Sequence, residues 1–472
     1  MHRIEETLER GICIGCGACS AVTDGAVRVS LGPTRMYVAD LSAAAETEVR
    51  RASRVCPFSD ESPNEDALGA PHPDGGMRAD GKLGRHSRTF AGRVRDDAYL
   101  LGSSSGGLTS WLVNTLIERD VVDAAITVGY ASGAEAGELF EYSVLERDEV
   151  TGNRKSQYYA ATMADVLQDL PSSGRRFAIV GVPCFIRAAR ALCRERPEFA
   201  RSLALFVALV CGHYKTQAFG ESLAWQLGVP PDDLAQVDFR SKRLDRGAND
   251  YDFGARARHD GTWQQAPVRT LIGGNWGHSA FQPEACNFCD DVVGETADVS
   301  FGDAWLPQFV GDPRGTNVVV SRNRMIDALF DEGAARGEIE VLEATAEDVV
   351  ASQAGGFRHR REGLAIRLRD DEEAGLSVPR KRVTAADAAS ATPKRVALIR
   401  QRRRMARLSH AAYARAVAAR DLRLYLRAER AEIARYRRID LTVRQRAVDV
   451  TKSVVKRLLT LLPGAFSLRS AR

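Results

Sequence analysis

The sequence predicts an α/β fold preceded by a cysteine-rich segment and followed by a basic helical extension. Three observations carry this. Apolar runs of strand length alternate with helical stretches between residues 122 and 227, three cysteines stand at two-residue intervals near the start, and positive charge gathers at the end. Strands alternating with helices imply an α/β layer with a mixed, partly parallel sheet.

The first segment, residues 1–65, contains Cys13-Ile14-Gly15-Cys16-Gly17-Ala18-Cys19 and, after a gap, Cys56-Pro57. Thiols this close in sequence converge on one centre only if the chain between them turns tightly, which Gly15 and Gly17 permit. The run resembles half of a bacterial ferredoxin, with the fourth cysteine arriving late, and Cys13, Cys16, Cys19 and Cys56 are expected to hold one [4Fe-4S] cluster. Four thiolates also suit tetrahedral zinc, but zinc motifs more often pair two separated Cys-x-x-Cys knuckles. Residues 61–85 are rich in Pro, Gly and Asp and keep no period, so residues 66–88 are expected to be a linker.

The core is expected over residues 89–340. Residues 122–130, 177–180 and 203–210 read as strands, and residues 184–193 and 218–227 as helices. Before the first strand, Gly102-Ser103-Ser104-Ser105-Gly106-Gly107 runs into an apolar-periodic segment, residues 108–117. Such a loop is either a phosphate cradle at a helix N-terminus or a flexible turn with a Ser cap. It lacks the endings of a P-loop and of a Rossmann turn. Val182-Pro183-Cys184 puts a thiol in the first turn of a helix, as an activated nucleophile or a cluster ligand. Cys211-Gly212-His213 places a second thiol at a strand end, on the sheet edge where open α/β folds bind ligands. Cys286-Asn287-Phe288-Cys289 brings the number to four. Cys193 is left over and reads as a small buried hydrophobe.

Nine cysteines without an export signal favour metal ligands over disulfides, and no run of eighteen apolar residues is free of charge. A cytoplasmic protein without a transmembrane span is expected. From Lys394 onward there are 22 Lys and Arg against 5 Asp and Glu, a net of +17, which leaves residues 1–393 at −13. Such a tail either has its own partner or folds back on the body. Residues 341–393 read as a polar connection and residues 394–472 as the basic extension, with one long helix over 396–438. Its arginines line most faces, the pattern of a solvated or partner-docking helix. Residues 448–466 mix Val and Leu with Lys452, Lys456 and Arg457 and suit a surface helix or an anionic membrane surface, leaving the protein cytoplasmic or peripheral to the membrane. No aromatic-rich or zinc-finger pattern accompanies the charge, which argues against nucleic acid.

These motifs, together with Phe239-Arg240-Ser241-Lys242 and Ala297-Asp298-Val299-Ser300-Phe301-Gly302-Asp303, stand in the order found in the family of coenzyme F420 hydrogenase/dehydrogenase beta subunits, which the chain resembles over about residues 8–325. The family includes the 7-hydroxymethyl chlorophyll a reductase. The resemblance implies an iron-sulfur flavoprotein oxidoreductase with FAD and one or two [4Fe-4S] clusters, two if both cysteine sets are filled, and it implies that the α/β core is the flavin core. It implies Cys184, Cys211, Cys286 and Cys289 as the second cluster's ligands. It implies Ser104, Ser105, Gly106 and Gly107 as the loop on the flavin phosphates, with Ser156, Tyr158, Arg240 and Lys242 as further flavin contacts. Where relatives carry Ser-Lys-Tyr this chain has Ser156-Gln157-Tyr158, and their Gly-Asp-Phe-Trp is Gly302-Asp303-Ala304-Trp305. The implied electron donors are a one-electron protein such as ferredoxin, F420 or reduced nicotinamide. Two roles follow: reduction of an organic substrate or deazaflavin, or electron transfer within a larger complex docked through the basic helix. His213 and Asp303 stand in matching motifs, and no side chain is assigned an acid or base role.

Overall fold

The computed structural model describes residues 1–69, 77–131 and 138–441. The segment 448–466, read as a surface or membrane helix, lies outside the described residues.

The N-terminal segment pairs β1 (Arg28–Leu31) with β2 (Tyr37–Asp40) and flanks them with the helices Ile4–Glu9, Ala18–Val22 and Glu46–Val55. Within the expected linker, a short helix at Glu65–Leu68 is followed by a hairpin of β3 (Arg78–Asp80) and β4 (Gly84–His86). The main sheet then begins with β5 (Arg88–Val94), β6 (Ala124–Tyr130), β7 (Phe140–Leu145), β8 (Phe177–Gly181) and β9 (Leu203–Leu209). Strands β10 (Leu234–Ser241), β11 (Asp252–Ala257) and β12 (Trp263–Pro267) make a separate antiparallel sheet. The chain returns with β13 (Val299–Asp303), β14 (Asn317–Ser321) and β15 (Ile339–Glu343).

The eight strands lie in the order β15-β5-β14-β13-β9-β8-β6-β7. Neighbours from β13 to β6 are parallel and the outer pairings antiparallel, so the α/β fold with a mixed sheet is as the sequence predicts. Strands β8 and β14 are buried throughout, as apolar runs covered on both faces must be. The helices Leu108–Glu118 and Pro183–Glu195 cover the sheet, and one apolar cluster runs without a break from Ile12 to Ile399.

The helical extension departs from the single long helix expected. Two helices, Pro393–Ala419 and Leu422–Asp440, form a hairpin. Arg420 takes a left-handed conformation with φ 51°, and the Asp421 carboxylate caps the second helix by accepting the Arg423 N–H at 3.0 Å. The bend brings Tyr413 and Tyr425 onto Phe281, with ring centroids 5.6 and 5.4 Å away. Of the two fates read for the basic tail, its described part folds back on the body. Arg403 bonds Asp371 at 2.6 Å, and Arg407 bonds Glu284 at 2.8 Å.

Candidate functional site

The C-terminal ends of the parallel strands open into a cavity of about 230 Å³. This is the sheet edge where open α/β proteins take their ligands. Thr127 and Val128 reach it from β6, Gly181 from β8, Leu209 from β9 and Phe301 to Asp303 from β13.

One wall is the small-residue loop. Gly107 turns it with φ 76° into the helix Leu108–Glu118, and Thr109 and Ser110 in the first turn face the cavity. The positive end of the helix dipole there suits an anion, while the N–H groups of Ser103, Ser104 and Leu108 are taken by the Leu100 and Arg154 carbonyls and by Asn317 Oδ1. Ser103, Ser104, Ser105 and Gly107 line the space. Gly106 does not; it packs behind the loop, where a Cβ would stand 2.7 Å from the Gly92 carbonyl oxygen. The Ser156 N–H donates to Ser104 Oγ at 2.7 Å, tying the second expected contact segment to the first. Tyr158 meets Trp276 edge-on, with centroids 4.9 Å apart, and both line the cavity. Arg240 lines it too, held by Asp303 through 2.8 and 2.9 Å bonds.

Lys242 lies outside the lining. Its ammonium donates to the carbonyls of Leu100 and Ser105, at 2.6 and 2.9 Å, and to that of Arg314, so it braces the loop from behind. Burial, with Arg240 and Lys155 beside it, lowers its pKa to about 7. The positive charge that Gln157 lacks is supplied nearby, since Arg154 and Lys155 both face the cavity.

The first four thiols, Cys13, Cys16, Cys19 and Cys56, line a second, small cavity walled by Ile4, Leu8, Val29 and Phe58. Both glycines of the run are needed for this approach. Gly15 and Gly17 have φ 66° and 90°, and a Cβ would stand 2.5 Å from the Tyr37 carbonyl oxygen in one case and 2.3 Å from the Ala164 nitrogen in the other. Burial raises the pKa of every thiol here, and the neighbouring thiols raise those of Cys16, Cys19 and Cys56 further.

The other four thiols lie within electrostatic reach of one another. Burial and then the charges of Cys289, Cys211 and Cys286 push Cys184 up, and Cys16 of the first set adds to the effect. Cys211 lines the large cavity as well. The Tyr214 N–H donates to Cys286 Sγ at 3.2 Å. Among the described residues no three His, Cys, Asp or Glu side chains are grouped as around a single metal ion; the thiols of the first set surround a space instead. Two sets of soft sulfur donors, with N–H groups aimed at sulfur, fit iron-sulfur clusters. Cys193 belongs to neither set.

Three side chains at the site carry no signal in the motifs. Lys215 is 1% exposed, lines the large cavity and stands over the rings of Phe219 and Trp276, and burial lowers its pKa to about 7. Trp276 closes the space from a 3₁₀ turn. Arg360, from the helix Ala354–Arg360, reaches Cys211 Sγ at 3.5 Å.

The fold and the site together define an α/β protein whose cavity at the parallel sheet edge is lined in part by Cys211 of the second thiol set. The chain belongs to the family of coenzyme F420 hydrogenase/dehydrogenase beta subunits: the family's N-terminal part matches residues 89–168 and its C-terminal part residues 174–347. A subunit of the F(420)H(2) dehydrogenase of Methanosarcina mazei is 24% identical over 354 residues, covering 72% of this chain and 87% of that one. An uncharacterized protein of Methanocaldococcus jannaschii is 23% identical, over 52% of this chain and 83% of its own. A chain in the structure of the F420-reducing [NiFe] hydrogenase complex from Methanosarcina barkeri aligns with a TM-score of 0.48 at 16% identity, over 65% of this chain and 99% of that one. No described helix is long and apolar enough to cross a membrane.

Proposed function

We propose that this chain is an iron-sulfur flavoprotein oxidoreductase, with one [4Fe-4S] cluster on Cys13, Cys16, Cys19 and Cys56, another on Cys184, Cys211, Cys286 and Cys289, and FAD in the large cavity. The observation that carries the reading is continuity. Cys16 lies within electrostatic reach of Cys184, and Cys211 belongs both to the second thiol set and to the cavity wall. Bound there, clusters supply single-electron steps and a flavin the two-electron chemistry of an organic substrate or deazaflavin. The chain's share is to place and insulate them. Ser104, Ser105 and Gly107 would cradle phosphates, Tyr158 and Trp276 are aromatic walls of the cavity, and Arg240, held by Asp303, offers a fixed positive charge.

The test is Cys16→Ser, purified anaerobically. Reduction of the flavin by a one-electron donor such as ferredoxin should fall at least ~100-fold while FAD stays bound and reduced F420 or nicotinamide still reduces it. Unchanged rates would sink the proposal. A second reading, electron transfer inside a larger complex, is favoured by one relative being part of a multi-subunit dehydrogenase. Co-purification with a partner enzyme, and no turnover without it, would select that reading.

A further inference from the structure

Arg360 is 1% exposed, among the largest fully buried side chains of the protein, and the family match ends before it, at residue 347. One of its terminal nitrogens donates to the Asp291 carbonyl at 2.7 Å; the other faces the Gly212 carbonyl at 3.2 Å and Cys211 Sγ at 3.5 Å. None of these bonds goes to a carboxylate. A guanidinium stays charged when buried, and a buried charge must be paired. Among its described bonds the side-chain partner is sulfur, Cys211 Sγ, and Cys286 and Cys289 of the same set lie within electrostatic reach.

The first thiol set is surrounded differently. Its cavity wall is apolar, and sulfur there receives backbone N–H groups, from Ala39 and Gly15 to Cys13, Ala18 to Cys16, Ser20 to Cys19 and Phe58 to Cys56, and the Thr7 side chain to Cys56, but none of the described bonds brings a guanidinium to sulfur. Arg187 acts on Cys56 by charge while its own bonds go to Glu65 and the Pro63 carbonyl. Net charge and hydrogen bonds to sulfur set a cluster's potential, and a cation bonded to sulfur favours the reduced, more negative state.

We infer that Arg360 is the counter-ion of the inner thiol set, holding the cluster at Cys184, Cys211, Cys286 and Cys289 at a higher reduction potential than the one at Cys13, Cys16, Cys19 and Cys56. This rests on the two-cluster reading above. With both clusters bound, that order would make transfer from the outer centre to the inner one downhill, one electron lost by the first for each gained by the second. Arg360 is a positioning residue for that step, acting through Cys211.

The test is potentiometric titration, followed by electron paramagnetic resonance, of the full-length holoprotein and of Arg360→Gln, Arg360→Lys and Cys16→Ser. Wild type should give two midpoints. Arg360→Gln should shift the higher one downward and leave the lower in place; Arg360→Lys, which keeps the charge but not the fork, should shift it less. Cys16→Ser should remove the lower-potential signal. An unmoved higher midpoint in Arg360→Gln, or loss of the higher-potential signal in Cys16→Ser, overturns the inference. If Arg360→Gln does not fold, the Lys variant decides, a midpoint at or above wild type counting against the role. Protein that retains flavin but contains no iron fails the underlying reading and this inference with it, an outcome that iron analysis separates from an unmoved midpoint.

Discussion

Lys242 shows how much a single side chain decides when it stands behind a loop rather than in the site. Its ammonium satisfies three carbonyls in partly buried bonds, and one of them, from Ser105, belongs to the loop that faces the cavity. Only the charged form carries three N–H donors. Its pKa is lowered to about 7 by burial and by Arg240 and Lys155, so the proton is lost near neutrality. The sign follows: the protonated form braces the loop, and flavin affinity should fall as pH rises through about 7. Lys242→Met should weaken FAD binding about tenfold, corresponding to ~1.4 kcal/mol, and flatten that pH dependence. Fluorescence titration of the deflavinated protein measures both; equal affinity at pH 6 and pH 8.5 in wild type would count against the brace. The Ser-Gly-Gly motif was legible in the sequence because its composition is unusual. Its brace was not, since nothing around a lysine in a Ser-Lys pair distinguishes a ligand contact from a support.

The C-terminal hairpin is where sequence reading departs most from the structure. Its alanines, leucines and arginines support a helix almost anywhere, and period alone did not locate the bend at Arg420. The signal was Asp421, a helix N-cap in the middle of an otherwise unbroken pattern. Arginine content likewise suggested a solvated or partner-docking face, whereas Arg402 is bonded to Ser279 at 3.0 Å and Arg403 to Asp371 on the body of the same chain. Two histidines fasten the same hairpin. His410 sits between the Ala406 carbonyl and Thr216 Oγ1, and His278 meets Tyr436 edge-on. Burial lowers both to about 4, with Arg437 and Arg402 adding to the effect at His278. Their folded values lie below the unfolded value of about 6.5, so the unfolded chain binds more protons between pH 6.5 and 4. Stability from these contacts is complete above about 6.5 and is lost as pH falls through that window. Hydrogen exchange should therefore show residues 393–440 losing protection on acidification from pH 7 to 5 before the β8 and β9 strands do; simultaneous loss would contradict it.

Across the whole molecule, the proposed electron path would need the outer and inner thiol sets held in register, and the chain joins the segments that carry them with charge as well as apolar packing. Arg382 reaches Glu295 through 2.7 and 2.8 Å bonds and Asp290 through a 3.2 Å bond, and its guanidinium lies 3.8 Å from Glu65 at the end of the N-terminal segment. Glu65 in turn takes a 3.1 Å bond from Arg187, on the helix that carries Cys184. One cation from the polar connecting stretch thus joins the segment after Cys56, the turn after Cys289 and the helix of Cys184. The sequence pointed to the first four thiols through their spacing and to the other four through their separate motifs and the family resemblance, but it could not point to this joint, because its members are ordinary surface residue types far apart in the chain. Breaking a buried ion pair by removing one partner costs about 3–5 kcal/mol, much of it from carboxylates left unpaired. Arg382→Met should therefore destabilise the protein on that scale. Its effect should also be uneven: hydrogen exchange should rise first in residues 1–69, and reduction by a one-electron donor should slow while direct flavin reduction by a hydride donor is retained. Equal slowing of both routes would mean that the joint supports the fold as a whole rather than the alignment of the outer thiols with the inner ones.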